Sequence, residues 1–198
     1  RDKLTHAGIY GVDVSMNTLE SIYGIDITYY ARVNFTSLIE IVDALGGVDV
    51  YSEYAFETRG YQFQQGMNHM NGEQALAFSR ERYTFEDGDN QRGKNQEAVL
   101  KAILEKAMSP AVLVKASELI TSVSDSVETN MSRSEMAQFI NRQLSDGSSW
   151  EIESVAATGT GDSQTCYSSG SEILYVMWPD EASIEAISAK MQEIMAGK

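Results

Sequence analysis

The 198-residue sequence is long enough for one domain with a sizeable core, and its 42% hydrophobic and 22% charged residues are ordinary for a folded globular protein. Its net charge of −14, from 15 Lys and Arg against 29 Asp and Glu, disfavours nucleic acid as a partner, because duplex binding depends on many basic contacts to phosphate. A single cysteine excludes a disulfide within the chain and a metal site of several thiolates, and no run of about 18 apolar residues predicts a membrane span.

The first quarter of the chain predicts alternating helices and strands. Hydrophobic spacing predicts helices over residues 15–23 and 35–45, and the aromatic and β-branched residues of 25–33 and 48–51 predict strands. A strand, a helix and a strand in close succession are typical of a βαβ unit. We therefore expect the α/β class, with helices packed on a largely parallel or mixed sheet and a single domain over residues 1–198.

The later elements are less regular. Residues 52–69 predict a loop with one hairpin, and Asn71 is expected to cap a helix over 72–78. Ser132 and Glu135 have the spacing of a capping box at the start of another helix. The other predicted elements are helices over 90–108, 111–123 and 180–195, strands over 150–156 and 173–177, and a Gly/Ser/Thr-rich loop over 158–170.

Residues 80–96 carry the clearest functional signal, because three arginines fall close together in an otherwise acidic chain. Guanidinium groups present rigid pairs of donors that match carboxylate or phosphate oxygens, so this stretch predicts an anion site. Arg80 and Arg82 are two residues apart. In extended backbone both would project to one face while Glu81 turns away.

The next helix brings further polar groups to the same stretch. Asp89 is placed to cap the helix over 90–108, and Arg92 and Gln96 are four residues apart, on one face of its first turns. A helix N-terminus itself favours an anion. The arginine pair and this helix end are therefore expected to converge on one site.

A simpler interpretation is that these arginines form surface ion pairs with Glu81, Glu86, Asp87 and Asp89, each worth about 0–1 kcal/mol. Asp89 could equally be only a helix cap. Cys166 is more simply a small buried residue than a reactive thiol. His6 and His69 lack the paired spacing of a zinc site, which favours structural roles for both.

The order Arg-x-Arg, six residues, Asp, two residues, Arg, three residues, Gln resembles the signature of the LytR-CpsA-Psr family of cell-envelope proteins. The resemblance covers nearly the whole chain. Further matches are Asp2-Lys3 with Ala7 and Gly11, Val33-Asn34-Phe35, Asp43-Ala44-Leu45-Gly46-Gly47-Val48, Gly66 before Asn71-Gly72-Glu73-Gln74-Ala75-Leu76, and Thr129-Asn130-Met131-Ser132.

The resemblance implies a three-layer α/β/α sandwich around a central mixed β-sheet. It implies a domain at the extracellular face of the cell membrane, held by an N-terminal transmembrane anchor. It also implies Mg²⁺ as cofactor and a polyprenyl (pyro)phosphate lipid whose tail lies in an apolar groove. The implied activity is transfer of a lipid-linked glycopolymer, teichoic acid or capsular polysaccharide, onto peptidoglycan. The expected subgroup is the streptococcal capsule branch. Hydrolysis of the lipid pyrophosphate is a closely related activity that the resemblance also allows. The alternative is a noncatalytic, lipid-binding regulator of capsule synthesis.

The resemblance also implies roles for single residues. Arg80 and Arg82 would bind the pyrophosphate, and Arg92 would stabilise charge developing on the leaving phosphate. Asp89 would orient the arginines or accept the proton of the incoming hydroxyl. The expected substrate-binding residues are Gln96, as a neutral donor, and Lys3, near the phosphates.

The sequence departs from the family pattern in two ways. The family's first segment, which carries a further arginine and the acids that bind Mg²⁺, has no counterpart in these 198 residues, so its metal ligands are unknown. Many members have arginine directly before the glutamine, where this chain has Asn95. Candidates for the apolar groove are Ile39, Ile41, Val42, Leu76 and Phe78, although ordinary core positions are the simpler interpretation for each.

Overall fold

The computed structural model describes residues 1–86, 88–147 and 150–197, with the backbone alone at position 89. The chain divides into two compact units, one formed by Arg1–Thr28 with Ser154–Lys198 and the other by Tyr29–Glu153. Within the described residues we find no helix with the length and hydrophobicity of a membrane span.

Helices and strands are interspersed along the whole chain. The helices are α1 (Val12–Tyr23), α2 (Phe35–Ala44), α3 (Gly72–Arg80), α4 (Gly88–Ala107), α5 (Pro110–Leu113), α6 (Ala116–Ser122), α7 (Arg133–Asp146) and α8 (Glu181–Met195), with 3-10 helices at Leu4–Tyr10 and Tyr167–Ser169. The strands are β1 (Ala31–Val33), β2 (Val48–Ser52), β3 (Phe56–Thr58), β4 (Tyr61–Phe63), β5 (Gly66–Met70), β6 (Val127–Thr129), β7 (Gly159–Thr165) and β8 (Ile173–Pro179). The predicted α/β class is confirmed.

Strand pairing differs from the expected βαβ unit. Among the described residues the strands pair as β1 with β6, β2 with β5, β3 with β4, and β7 with β8, and each pair is antiparallel. Side chains of β2 alternate between buried and exposed along its five residues. Burial of one face only is typical of antiparallel strands, whereas parallel strands are usually covered on both faces. The stretch β1–α2–β2 is therefore not a βαβ unit.

The predictions for the second half were partly wrong. Residues 150–156 form no strand, and β7 occupies most of the stretch predicted as a loop. A Cβ at Gly159 would lie 2.2 Å from the Trp178 carbonyl oxygen, and one at Gly161 would lie 2.7 Å from the Tyr175 hydroxyl. These glycines let the larger residues of β8 lie over β7, so the low β propensity of the segment is overridden by pairing.

The main hydrophobic core lies in the Tyr29–Glu153 unit. Val42 of α2, Val48 and Val50 of β2, Met70 of β5 and Phe78 of α3 are almost completely buried in it. Phe78 also contacts Phe56 and Phe63 of the β3–β4 hairpin, with ring centres 5.4 and 5.3 Å away. The core thus joins α2, α3 and the hairpin, which are the elements that carry the candidate site.

The Asp-Ala-Leu-Gly-Gly-Val motif joins α2 to α3. The Asp43 carboxylate accepts a hydrogen bond from the Gly72 N–H at 2.8 Å, which satisfies a free donor at the start of α3. Gly47 has φ +86°, and a Cβ there would lie 2.6 Å from His69 Nε2. A Cβ at Gly72 would lie 2.4 Å from the Ile39 carbonyl oxygen. Glycine is therefore required at position 72 by close packing on the α2 backbone, and at position 47 by the positive φ.

The Arg1–Thr28 and Ser154–Lys198 unit pairs the first and last helices. Ser188 and Gln192 of α8 donate hydrogen bonds to the backbone carbonyls of Tyr23 and Gly24 at the end of α1. Gly24 has φ +64°, the left-handed conformation of a helix C-terminus. The β7–β8 hairpin completes this unit.

Candidate functional site

Arg80 is the last residue of α3, and its position depends on how that helix begins. Asn71 and Gln74 form a capping box, with hydrogen bonds of 2.9 and 3.0 Å, which fixes the first turn. The Arg80 guanidinium lies over the Phe35 ring, 4.4 Å from its centre. Asn34 caps α2 through the Ser37 N–H, so Phe35 is held at the first turn of that helix. Two capped helices therefore meet at one cation–π contact.

Glu81 turns the chain after α3. Its buried carboxylate accepts hydrogen bonds from the Thr58 hydroxyl, the Thr84 hydroxyl and the backbone N–H groups of Tyr83 and Thr84. Desolvation alone would raise the pKa of Glu81, but these donors outweigh it and hold the pKa below its usual value. Because Glu81 faces inward with extended backbone, its two arginine neighbours reach one cavity, as the sequence predicts.

Arg82 is held against its neighbour in the chain. Its guanidinium donates to the Tyr83 hydroxyl at 2.6 Å and lies 4.7 Å from the centre of that ring. The start of α4 packs on the Arg82 backbone, since a Cβ at Gly88 would lie 2.0 Å from the Arg82 carbonyl oxygen. This close approach brings the first turns of α4 beside the two arginines.

Helix α4 presents one face to the site and another to the core. Arg92 and Gln96, four residues apart, line the cavity that Arg80 and Arg82 also line. Gln91 and Asn95 are buried on the other face, where Gln91 donates to Asn95 at 3.1 Å and Asn95 donates to the Phe78 carbonyl at 3.2 Å. Asn95 therefore ties α4 to α3.

Arg59 also lines this cavity, and the sequence analysis missed it. It lies between β3 and β4, where it has φ +52° and is followed by Gly60 with φ +81°. Two successive residues with positive φ are typical of a tight type I′ hairpin turn. The Arg59-Gly60 dipeptide predicts such a turn weakly, and only the tertiary fold shows that it faces α3 and α4.

We call this cavity the arginine pocket. Its volume is about 420 Å³, and it is lined by Phe35, Arg59, Arg80, Arg82, Tyr83, Arg92 and Gln96. Four guanidinium groups, a phenol and an amide line it, so its lining residues supply many hydrogen-bond donors and four positive charges. Such a donor set matches a ligand with several anionic oxygens, of which a phosphate or pyrophosphate is the simplest example.

A second cavity of about 380 Å³ adjoins the first, and we call it the apolar groove. It shares Phe35, Arg80 and Gln96 with the arginine pocket, and its other lining residues are Val33, Asn34, Leu38, Ser79, Val99, Leu100 and Ile103. The sequence candidates for a lipid groove, Ile39, Ile41, Val42, Leu76 and Phe78, do not line this cavity, and Val42 and Phe78 are 0% exposed, as the simpler interpretation of core positions predicts. Helix spacing alone could not separate groove positions from core positions.

Two of the predicted site residues, Asp89 and Lys3, have no described place in the arginine pocket. Asp89 falls within α4 rather than at its cap, and its side chain is outside the described residues. Lys3 belongs to the Arg1–Thr28 and Ser154–Lys198 unit, where it precedes the 3-10 helix Leu4–Tyr10. The roles given to both residues stay predictions.

The described residues of the arginine pocket do not fit a magnesium site. Mg²⁺ is usually held by one or two carboxylates together with substrate phosphates and water. None of the described side chains that line the pocket is a carboxylate, and Glu81 faces away into its own hydrogen bonds.

The chain is similar to proteins of the bacterial cell envelope. The family model described as the LytR_cpsA_psr family matches residues 1–193. The polyisoprenyl-teichoic acid–peptidoglycan teichoic acid transferase TagU of Bacillus mycoides is 38% identical over 136 residues, which are 68% of this chain and 45% of that protein. TagU of Enterococcus faecalis is 36% identical over 137 residues, 69% of this chain and 45% of that protein.

Solved structures agree with these matches. The crystal structure of B. subtilis TagV superposes with a TM-score of 0.79 at 27% identity, covering 96% of this chain and 73% of that one. The aligned part spans under half the length of the two curated relatives. The relatives are named for teichoic acid, so the expected streptococcal capsule subgroup finds no support among them.

Proposed function

The chain belongs to the LytR-CpsA-Psr family, and on this premise we propose that it transfers a glycopolymer from a polyprenyl pyrophosphate carrier to peptidoglycan. The observation that carries the proposal is the shared wall between the arginine pocket and the apolar groove. A ligand that fills both must have an anionic head directly joined to an apolar tail. A polyprenyl (pyro)phosphate has this construction.

The arginine pocket suits phosphoryl transfer in particular. In such reactions the protein acts mainly by positioning the phosphates and neutralising negative charge, and one well-placed arginine can contribute about 10³–10⁵ in rate. Arg80 and Arg82, at the end of α3, and Arg59, on the hairpin turn, surround the cavity together with Arg92. We assign Arg80, Arg82 and Arg59 to binding the pyrophosphate, and Arg92 to the charge that develops on the leaving phosphate.

The proposed reaction forms one phosphodiester. A peptidoglycan hydroxyl oxygen attacks the phosphorus attached to the glycopolymer, and the bond from that phosphorus to the bridging oxygen of the pyrophosphate breaks. Polyprenyl phosphate leaves with the bonding electron pair. The hydroxyl proton passes to a base, for which Asp89 is the sequence candidate. Gln96 supplies a neutral donor to the same phosphates, and Lys3 is assigned to phosphate binding on the family resemblance.

The proposed setting follows from the substrates. Peptidoglycan lies outside the cell and the carrier lipid lies in the membrane, so we assign the domain to the extracellular face of the cell membrane, anchored there in the complete protein. Mg²⁺ stays a proposed cofactor on the family resemblance alone. Teichoic acid is favoured over capsular polysaccharide as the polymer, because the relatives reported above are named for it.

Two other functions predict different experimental results. A pyrophosphatase would use the same pocket with water in place of the sugar hydroxyl, and would release glycopolymer phosphate without an acceptor. A noncatalytic regulator of polymer synthesis would bind the lipid without turnover.

The first test is lipid capture by the purified chain. Polyprenyl phosphate binding is measured for the wild type and for Arg80→Ala/Arg82→Ala, and transfer onto peptidoglycan is then measured on the complete protein with the same changes. The matched control is Arg133→Ala/Arg142→Ala on α7, where Arg142 forms an exposed ion pair with Asp146 at 3.5 Å. We expect capture and transfer to be lost only in the first variant. Equal capture by both variants would show that these arginines are surface ion pairs instead.

A further inference from the structure

A second group of reactive side chains lies in the unit formed by the two ends of the chain. Asp2, His6 and Cys166 each offer one potential ligand atom, and these atoms all lie within 4.8 Å of one another. Asp2 and His6 are four residues apart, whereas Cys166 is separated from them by most of the sequence. Spacing along the chain therefore could not reveal this group, and His6 was assigned a structural role for that reason.

Two short backbone segments hold Asp2, His6 and Cys166 in place. His6 lies within the 3-10 helix Leu4–Tyr10, and Cys166 directly precedes the 3-10 helix Tyr167–Ser169. The two segments are joined by the Tyr167 N–H, which donates to the Arg1 carbonyl at 3.1 Å. Cys166 is 6% exposed, and the side chains of His6 and Asp2 are 19% and 20% exposed. The thiol is thus buried against an imidazole and a carboxylate that solvent reaches only partly.

The carboxylate of Asp2 is oriented by several donors. Its Oδ1 lies 2.6 Å from His6 Nδ1 and accepts the Lys3 N–H at 2.9 Å, and its Oδ2 accepts the Ser168 N–H at 3.1 Å. The Ser168 hydroxyl lies 3.0 Å from Asp2 Oδ1 and 2.6 Å from His6 Nδ1. The two backbone N–H donors would keep orienting Asp2 as a direct ligand, since such partners raise metal affinity, whereas the contacts of Asp2 and the Ser168 hydroxyl with His6 Nδ1 would give way to the metal.

We propose that Asp2, His6 and Cys166 bind Zn²⁺, with a fourth position open to water. One nitrogen, one oxygen and one sulfur donor form the mixed set that zinc accepts, and three protein ligands with one water make a common tetrahedral arrangement. At ligand distances of about 2.0–2.3 Å, tetrahedral ligand atoms lie about 3.3–3.5 Å from one another. Zinc binding would therefore lengthen the distance from His6 Nδ1 to Asp2 Oδ1 by under about 1 Å. It would shorten the distance from the Cys166 sulfur to these two atoms by at most about 1.5 Å.

Zinc binding at this site exchanges a proton of the protein for the metal ion. The thiol of Cys166 loses its proton to solvent as the sulfur–zinc bond forms, while Asp2 binds as a carboxylate and His6 as a neutral imidazole. No oxidant or reductant takes part. None of the three proposed ligands is among the described residues that line the arginine pocket, so metal binding is tested separately from the proposed transferase activity.

The chain contains a matched control for the zinc site. His69 Nδ1 lies 2.7 Å from Asp49 Oδ1, which closely resembles the His6–Asp2 pair. The side chains of His69 and Asp49 are 62% and 61% exposed, and the described residues place no cysteine beside them. The described residues thus contain two such histidine–carboxylate pairs, and of these only His6–Asp2 lies beside a cysteine.

The test is cobalt titration of the metal-free chain, purified with a histidine-free tag at its C-terminal end. Co²⁺ occupies zinc sites and gives a sulfur-to-cobalt absorption band only when a thiolate is bound. We expect one equivalent of Co²⁺ to produce this band in the wild type and in His69→Gln, and Zn²⁺ to remove it. His6→Gln should lower the affinity more than about 100-fold, since loss of an outer partner alone costs about 10–100-fold.

Other outcomes would overturn the assignment. A wild type without the band has no thiolate ligand, and a band of unchanged affinity in His6→Gln means that Cys166 binds cobalt without the imidazole. Circular dichroism verifies that each variant is folded. If His6→Gln unfolds, Asp2→Asn takes its place with the same expectation, and unchanged affinity there would equally contradict the site.

Discussion

The Arg80 guanidinium lies 4.4 Å from the centre of the Phe35 ring, and both side chains line the arginine pocket and the apolar groove. One contact between α2 and α3 therefore forms the boundary between a charged and an apolar cavity. A ligand lying across this boundary has its phosphate on the guanidinium side and its tail on the ring side.

Phe35→Ala is expected to weaken binding of polyprenyl phosphate about tenfold or more. The change removes apolar wall from the groove and a cation–π contact worth about 0.5–1 kcal/mol at an exposed site. Because Phe35 is 59% exposed, the melting temperature should change little. Titration with a fluorescent lipid measures the affinity. Phe35→Tyr keeps the ring and should bind like the wild type; equal binding by all three proteins would remove this boundary from the ligand site.

Arg59→Asn is expected to reduce affinity for the pyrophosphate form of the lipid more than for the monophosphate form, because the larger anion has more charge to neutralise. Asparagine tolerates the positive φ of this position, so the turn should be retained. Arg59→Lys restores the charge without the planar fork and should recover affinity partly. Competition between the two lipids measures the difference, and identical losses for both would contradict a role in binding the second phosphate.

Glu81→Gln is expected to lower the free energy of unfolding at pH 7 by about 1–3 kcal/mol, because the buried carboxylate accepts several hydrogen bonds. The folded-state pKa of Glu81 lies below its usual value, so the ionised form is the stabilising one. This contribution is present above the unfolded-state pKa, about 4.3, and is lost as the pH falls through the folded-state pKa.

Urea unfolding at pH 7 and at progressively lower pH measures this effect. The gap between the wild type and Glu81→Gln should close towards acid. Glu57→Gln, at an exposed position on β3, is the control and should leave stability nearly unchanged at every pH. A gap that is independent of pH would mean that shape, rather than charge, holds this turn.

Gly72→Ala and Gly93→Ala are expected to act in opposite directions. At Gly72 the new Cβ would lie 2.4 Å from the Ile39 carbonyl oxygen, so α2 and α3 must separate and stability should fall by about 1–3 kcal/mol. At Gly93, within α4, a Cβ meets nothing within 4 Å, and alanine should stabilise the helix by up to about 1 kcal/mol. Thermal unfolding measures both, and equal shifts would contradict the close packing at Gly72.

Asn95→Arg is expected to destabilise the protein without strengthening phosphate binding. The side chain of Asn95 is buried and donates to the Phe78 carbonyl, on a face of α4 other than the one that lines the cavity. An arginine there would bury a charge without a partner, which typically costs several kcal/mol. Lys94→Arg, at an exposed position paired with Glu53, should leave stability unchanged. Higher phosphate affinity in Asn95→Arg would show that this face of α4 can turn towards the pocket.

Local spacing predicted the part of the site that lies on continuous elements. Arg80 and Arg82 flank one extended residue, and Arg92 and Gln96 are one helical turn apart, so residue periodicity alone placed each pair on one face. Arg59 could not be found in this way, because its place in the pocket depends on how the hairpin folds against α3. Apolar spacing has the same limit: it gives Val42 and Phe78 equally to a groove wall or to the core, and only tertiary packing shows that both are buried.

The charge of the arginine pocket differs in sign from that of the chain as a whole, and this affects which anions reach the pocket. The chain as a whole carries −14, so a soluble polyanion that comes within about 8 Å of its surface, the Debye length at physiological salt, meets net repulsion. The arginine pocket is an exception on this acidic chain, because four guanidinium groups line it. A phosphate on a lipid whose tail lies in the apolar groove would reach the pocket without approaching as a free anion, so this charge distribution would favour tethered over free anions.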